Sequence, residues 1–131
     1  MPSRERVLAL IKRVEEGRFV EALQEFYTDD ATMQENGQSP RTGLQKLIEH
    51  ERGVMAAFKN VRTLPAKTWL VDGDHVIINW VFEFTRADGT GFRMDELALQ
   101  RWRGDRVAEE RFYYDPAQLA ARTAPTTTSS A

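Results

Sequence analysis

The clearest signal in the chain is an alternation of apolar and polar positions running from His75 to Tyr114 in three stretches, residues 75–85, 91–103 and 107–114. A period of two marks a strand with one covered face. Ala87-Asp88-Gly89 and Arg103-Gly104-Asp105 separate the stretches, and Gly and Asp tolerate the positive φ that tight hairpins need. A further Asp72-Gly73 stands before His75 and implies one more strand, over residues 66–71. The pattern therefore predicts a four-stranded antiparallel meander, and such a sheet needs something upstream to cover one face.

Upstream the period changes to that of helices. Ser3 is a capping residue for a first helix to about residue 16, with Val7, Leu8, Leu10, Ile11 and Val14 as one apolar stripe and Gly17 as terminator. A second, shorter helix buries Phe19, Val20, Leu23, Phe26 and Tyr27, and Thr28-Asp29-Asp30 breaks it. Residues 31–35 read as a short strand with Met33 and Glu35 sharing one face. After an Asn36-Gly37 loop, Thr42 and Gln45 have capping-box spacing for a third helix. Its stripe is Leu44, Leu47, Ile48, Val54, Met55 and Phe58, with Gly53 inside costing ~1 kcal/mol relative to alanine. Periodicity ends after Asp115. Residues 1–118 are expected to form one domain and 119–131, Thr/Ser-rich towards the end, a disordered tail.

Helices followed by a meander argue for an α+β fold, a curved antiparallel sheet wrapped as a cone around three N-terminal helices. Cones of this size hold small ligands.

Composition narrows the classes. At 131 residues and net charge −2 there is room for one core and no electrostatic case for nucleic acid. The absence of cysteine excludes disulfides, thiolate metal sites and a cysteine nucleophile. No apolar run reaches membrane-spanning length, and the charged start Met1-Pro2-Ser3-Arg4-Glu5-Arg6 does not read as a signal peptide, so a cytoplasmic protein away from the membrane is expected.

Two motifs carry a family resemblance. Phe26-Tyr27-Thr28-Asp29-Asp30-Ala31-Thr32, followed by Pro40-Arg41-Thr42-Gly43, resembles the same region of ketosteroid isomerases and other nuclear transport factor 2-like proteins. Arg101-Trp102-Arg103-Gly104-Asp105-Arg106-Val107-Ala108-Glu109 resembles the last hairpin of SnoaL-like domains, and Arg111-Phe112-Tyr113-Tyr114-Asp115 their terminal strand. The resemblance spans about residues 3–118 and implies a cystatin-like roll. It leaves activity open, because this fold hosts isomerases, cyclases, dehydratases, epoxide hydrolases and binding-only members.

Strand alternation, with the face chosen by the resemblance, turns Met33, Glu35, Trp80, Phe82, Glu96, Gln100, Trp102, Glu110, Phe112 and Tyr114 inward. His50 and Glu51 on the third helix match positions that border the pocket in ketosteroid isomerases. Glu35 matches the general-base aspartate of those enzymes, and desolvation of a carboxylate in an apolar cone would suit it to proton abstraction. The plainer alternative is a strand-end glutamate hydrogen-bonded at the loop. His50 is either an acid–base partner or a solvated helix-face residue. Glu96 and Glu110 either face inward, one holding a proton or pairing with Arg111 or Arg93, or form an outward charged pair.

The departures from the relatives matter as well. No tyrosine precedes Tyr27, so helix one supplies no oxyanion-binding phenol, and the companion acid position falls at Ala98. Phe112 stands where limonene epoxide hydrolases carry an aspartate. Those two chemistries are disfavoured. Glu35, His50 and Glu110 remain as catalytic candidates for cofactor-free isomerase, dehydratase or cyclase chemistry, with Met33, Glu51, Trp80, Phe82, Glu96, Gln100, Trp102, Phe112 and Tyr114 lining a site for an apolar, cyclic-type molecule. A metal site is not expected, since no ligand spacing is diagnostic. Two other readings stay open, a ligand-binding module without chemistry and a protein-interaction module. The outer sheet face, with Ile77, Asn79, Val81, Glu83, Leu97, Leu99, Arg101, Arg111 and Tyr113, has the composition of an interface, and a homodimer through it is expected.

Overall fold

The computed structural model describes residues 1–120 and 122–123. The chain opens with α1 (Arg4–Glu15) and α2 (Phe19–Phe26). The Ser3 hydroxyl accepts the Arg6 amide at 3.1 Å, and Gly17 leaves the helix at φ 78°, a conformation that favours glycine. β1 (Tyr27–Glu35) follows directly, then β2 (Arg41–Thr42) and α3 (Leu44–Ala57). β3 (Asn60–Thr63) and β4 (Trp69–Asp72) lead into the meander of β5 (His75–Thr85), β6 (Thr90–Arg103) and β7 (Arg106–Tyr113). A short 3₁₀ turn (Pro116–Leu119) and β8 (Arg122–Thr123) end the described chain.

The sheet order is β2-β1-β7-β6-β5-β3, with β4 also on β5 and β8 on β6. The meander is antiparallel throughout: β5 and β6 pair from His75 with Arg101 to Thr85 with Gly91, and β6 and β7 from Leu97 with Tyr113 to Arg103 with Arg106. Asp-Gly and Gly-Asp at the turns put Gly73, Gly89 and Gly104 at positive φ, as the turn geometry demands. β1 joins the far edge parallel to β7, so the sheet as a whole is mixed. A curved sheet over three helices is the expected α+β cone. Val7, Leu10 and Ile11 of α1, Ala22, Leu23 and Phe26 of α2 and Leu47 and Ile48 of α3 fill its narrow end against Val76, Ile78, Ala98, Trp102 and Val107.

Several local expectations change. Tyr27 ends α2 with extended geometry and starts β1, so Thr28-Asp29-Asp30 lies within a strand nine residues long. The Thr42 capping box does not form. Gly43, at φ 99°, is the N-cap of α3 and no side chain caps it, because Thr42 is held in β2. Phe58 is extended and leads into β3, a strand the helical pattern concealed. Leu8 is 52% exposed and Met55 40%, each one residue off its helix's covered face. The strand expected over 66–71 runs from Trp69 to Asp72. The tail expected from residue 119 begins inside the 3₁₀ turn, which Asp115 caps, and β8 pairs with Thr90 and Gly91; residues 121 and 124–131 lie outside the described chain. No helix among the described residues is long and apolar enough to cross a membrane.

Candidate functional site

Between α3 and the concave face of the sheet lies a hollow of about 290 Å³. Strand alternation supplies most of its wall: Trp80, Phe82 and Phe84 from β5, Phe92, Met94 and Glu96 from β6, Glu110 and Phe112 from β7, and Met33 and Glu35 from β1. His50, Glu51 and Val54 of α3 close the opposite side, one helical turn bringing them together, and Phe58 at its end joins them. The inward face read from the alternation is the one that faces the hollow. Trp80 and Phe82 stack at 5.9 Å between centroids, and Phe84 and Phe92 at 4.6 Å, giving one apolar flank.

Gln100 and Trp102, expected on the wall, lie one layer behind it, 0% and 1% exposed. There they build a polar chain beneath the floor. The Trp102 indole N–H, which can only donate, reaches Gln100 Oε1 at 2.9 Å. That contact turns the amide so that Gln100 Nε2 donates to Glu110 Oε2 at 2.7 Å. The Tyr27 hydroxyl donates to the other oxygen, Oε1. Burial pushes Glu110 up to about 7, against the two hydrogen bonds that hold it down, and pushes the Tyr27 phenol well above its ordinary value with help from the Glu110 charge.

Four residues before Gln100 on β6, Glu96 is buried and its carboxyl has no hydrogen-bond partner among the described residues. Desolvation, then the charges of Glu35, Glu110 and Glu51, raise it to about 9. At neutral pH it is a carboxylic acid with a proton to offer. Arg93 and Arg111, the expected partners of this pair, are elsewhere: Arg93 is on the exposed face of β6, and Arg111 Nε donates to the Asn36 carbonyl at 2.9 Å while its guanidinium lies over Tyr113. Nor do Glu96 and Glu110 face each other across the ladder, since Glu110 pairs with Gln100 and Glu96 with Trp80.

Glu35 sits at the mouth and departs from its expected setting of a lone carboxylate in an apolar cone. Arg41 Nη2 reaches its Oε2 at 2.7 Å, and the Tyr114 hydroxyl donates to Oε1 at 3.0 Å. β1 and β2 pair Met33 with Arg41, which brings the guanidinium alongside. Burial, then the Glu35 charge, raises Tyr114 to about 12. His50 stands on the exposed edge of the same mouth, lowered by burial and by Arg41 against the opposing pull of Glu35. Burial raises Glu51.

Two contributors escaped the sequence reading. Tyr27 was assigned to a helix's apolar side, although a buried tyrosine hydroxyl nearly always finds a partner. Arg41 stood inside a motif used only for the fold. Tyr27 also supplies a phenol and Glu96 an acid, from positions other than those at which ketosteroid isomerases carry theirs. Among the described residues no group of three or more His, Asp or Glu side chains is arranged to hold a metal ion.

Comparison with known proteins places this geometry. A family model for the SnoaL-like domain matches residues 7–110. A hypothetical protein from Catenulispora acidiphila DSM 44928 with a ketosteroid isomerase-like fold, solved in complex with trimethylamine, superposes with a TM-score of 0.74 at 23% identity over 89% of this chain and 90% of that one. A candidate SnoaL-like polyketide cyclase from Mesorhizobium loti gives 0.72 at 22% over 87% and 100%. A protein of unknown function with a cystatin-like fold from Xanthomonas campestris gives 0.76 at 16% over 90% and 95%. A search of curated proteins returns no match.

Proposed function

The chain belongs to the SnoaL-like domain family, and from that premise we propose that it performs cofactor-free acid–base chemistry on a small apolar molecule, as an isomerase, dehydratase or cyclase. The observation that carries the reading is a pair of carboxyls with different proton affinities on one aromatic hollow. Glu110, at about 7, can take or release a proton near neutral pH, while Glu96, at about 9, stays protonated and donates. Separation of this kind assigns the roles: Glu96 hydrogen-bonds the substrate oxygen on which charge develops, and Glu110 exchanges a proton with the substrate carbon or hydroxyl.

Tyr27 stands between the two functions. When Glu110 is ionised it accepts a hydrogen bond from the phenol. When Glu110 is protonated on Oε1 it donates to the phenol, and the Tyr27 hydroxyl is then free to donate into the hollow. His50, kept neutral, is a second acceptor at the mouth, and Glu35 joins it as a catalytic candidate whose two oxygens are already engaged by Arg41 and Tyr114. Met33, Glu51, Trp80, Phe82, Phe112 and Tyr114 contact the ligand in this reading, with Gln100 and Trp102 acting through Glu110. The relative solved with trimethylamine and the cyclase-like relative support a small-molecule occupant.

A test that needs no prior substrate is deuterium exchange into an enolisable bicyclic ketone such as 2-decalone, followed by NMR in D₂O. The protein should accelerate exchange, and Glu110→Gln should reduce the acceleration about 100-fold or more, within the usual worth of a positioned general base. Saturable ketone binding without any acceleration would instead favour the second reading, a ligand-binding module, which the engagement of Glu35 by Arg41 independently favours.

A homodimer through the outer sheet face completes the proposal. Ile77, Leu97 and Tyr113 are exposed there at 37%, 47% and 41%, with Leu97 opposite Tyr113 and Ile77 on the diagonal, opposite Leu99. Glu83, on that face opposite Arg93, is only 8% exposed because Arg62 covers it as an ion pair at 3.1 Å. Sedimentation should give twice the mass of one chain, and Leu97→Asp should halve it; a monomeric wild type would remove this part.

A further inference from the structure

The charges around the hollow do not balance. Glu35 and Arg41 cancel as an ion pair at 2.7 Å. Arg41 is the one guanidinium or ammonium among the described lining residues. Glu51, Glu96 and Glu110 on the wall have no cation to answer them once they ionise. Of these, Glu110 is satisfied by Tyr27 and Gln100. Glu96 is not: it is 7% exposed, projects into the hollow and has no side-chain partner among the described residues. Its oxygens open onto the hollow rather than being sealed off in the core, so a group entering the hollow can meet them. Its cross-strand neighbour is Trp80, stacked on Phe82, and aromatic faces attract organic cations.

We infer that the ligand carries a basic nitrogen on an apolar body, the ammonium meeting the Glu96 carboxylate beside the Trp80 and Phe82 rings. This inference rests on the proposed site and specifies its substrate class, with Glu96 giving up its proton to anchor the ammonium in place of donating to a substrate oxygen. The body fills the Phe84–Phe92 flank, and the hollow, at about 290 Å³, suits an amine of the size of a substituted cyclohexane or benzene. An arriving ammonium takes over the compensation that protons otherwise provide, so binding releases protons from the carboxyls. The groups that face Glu96 set this exchange. Glu35 and Tyr27 do so from β1, Arg41 from β2, His50 and Glu51 from α3, and Glu110 and Tyr114 from the β7 end. All the uncompensated ones are acids, and a cation becomes progressively better held as they ionise.

The experiment is calorimetric titration of the full chain with cyclohexylmethylamine and its neutral counterpart cyclohexylmethanol at pH 8, repeated in buffers of different ionisation enthalpy. The amine should bind about tenfold more tightly or better, with measurable proton release. Benzyltrimethylammonium, whose charge does not depend on pH, should bind more tightly at pH 9 than at pH 6. Glu96→Gln should abolish the preference for amine over alcohol, and a circular dichroism spectrum like the parent's certifies that the variant folds. Equal affinity for the two compounds, no binding of either, or an amine preference that survives Glu96→Gln would each overturn the inference. Because the readout is binding, a failure to exchange deuterium into a ketone would sink the catalytic proposal and leave this one standing.

Discussion

The hollow holds four carboxyls, and the protein treats two of them, Glu35 and Glu110, in opposite ways. At the mouth, Glu35 is met by a full positive charge from Arg41 and a phenol from Tyr114. On the floor, Glu110 is met only by neutral donors, the Tyr27 hydroxyl and the Gln100 amide, in complete burial. The first arrangement is an ion pair. The second lets the group hold its proton until about pH 7. Identical side chains on paired strands, with Glu35 opposite Phe112 and Met33 opposite Glu110, thus acquire different chemistry from their neighbours alone. A matching sequence position is therefore a weaker guide to a catalytic role than the identity of the hydrogen-bond donor.

The contrast can be broken most forcefully from the floor. Trp102→Ala removes a fully buried indole and the donor that fixes Gln100, and should cost about 3–5 kcal/mol in urea unfolding. A loss below about 1 kcal/mol would mean that the chain beneath the floor is not a structural unit.

The next effect is electrostatic and depends on pH. Glu96 and Glu110 have higher proton affinity folded than unfolded, so between their ordinary range and the folded values the unfolded chain has ionised while the native one has not. Their contribution is fully present below about pH 4 and is lost as pH rises, through about 7 for Glu110 and about 9 for Glu96. Glu96→Gln, which stays neutral, should therefore be more stable than the parent near pH 8, on the order of 2 kcal/mol, and should match it near pH 4. Melting temperature across pH measures this. A parallel displacement at all pH values would contradict it.

The mouth should respond least. Glu35→Gln breaks a half-exposed ion pair, worth about 1 kcal/mol or less. In that variant His50 should titrate lower still, because Arg41 then acts on it without the opposing carboxylate. NMR titration of the His50 ring would detect the change. An upward displacement would show that Arg41 does not govern the mouth.

The meander and the helix count were legible because they rest on period and on turn residues, and the inward face because the family resemblance chose between the two that alternation offers. Alternation across residues 91–103 put Met94, Glu96, Ala98, Gln100 and Trp102 on one side, and the ladder agrees. Three things were not legible. A helix end cannot be read where apolar residues continue into a strand, so Tyr27 and Phe58 were given to helices. The parallel pairing of β1 with β7 is set by tertiary contact and leaves no local mark. Depth is also invisible to alternation, which assigns a face but does not separate the wall, where Glu110 lies, from the layer behind it, where Gln100 and Trp102 lie.

The parallel seam between β1 and β7 has a consequence for how the molecule comes into being. The Tyr27–Glu110 contact joins residues 83 positions apart, and no hairpin brings them together. Distant pairings of this kind are slow to form. On a ribosome, the helices and the first hairpin can assemble while β7 is still being made, but the hollow lacks its Glu110 and Phe112 wall until β7 arrives.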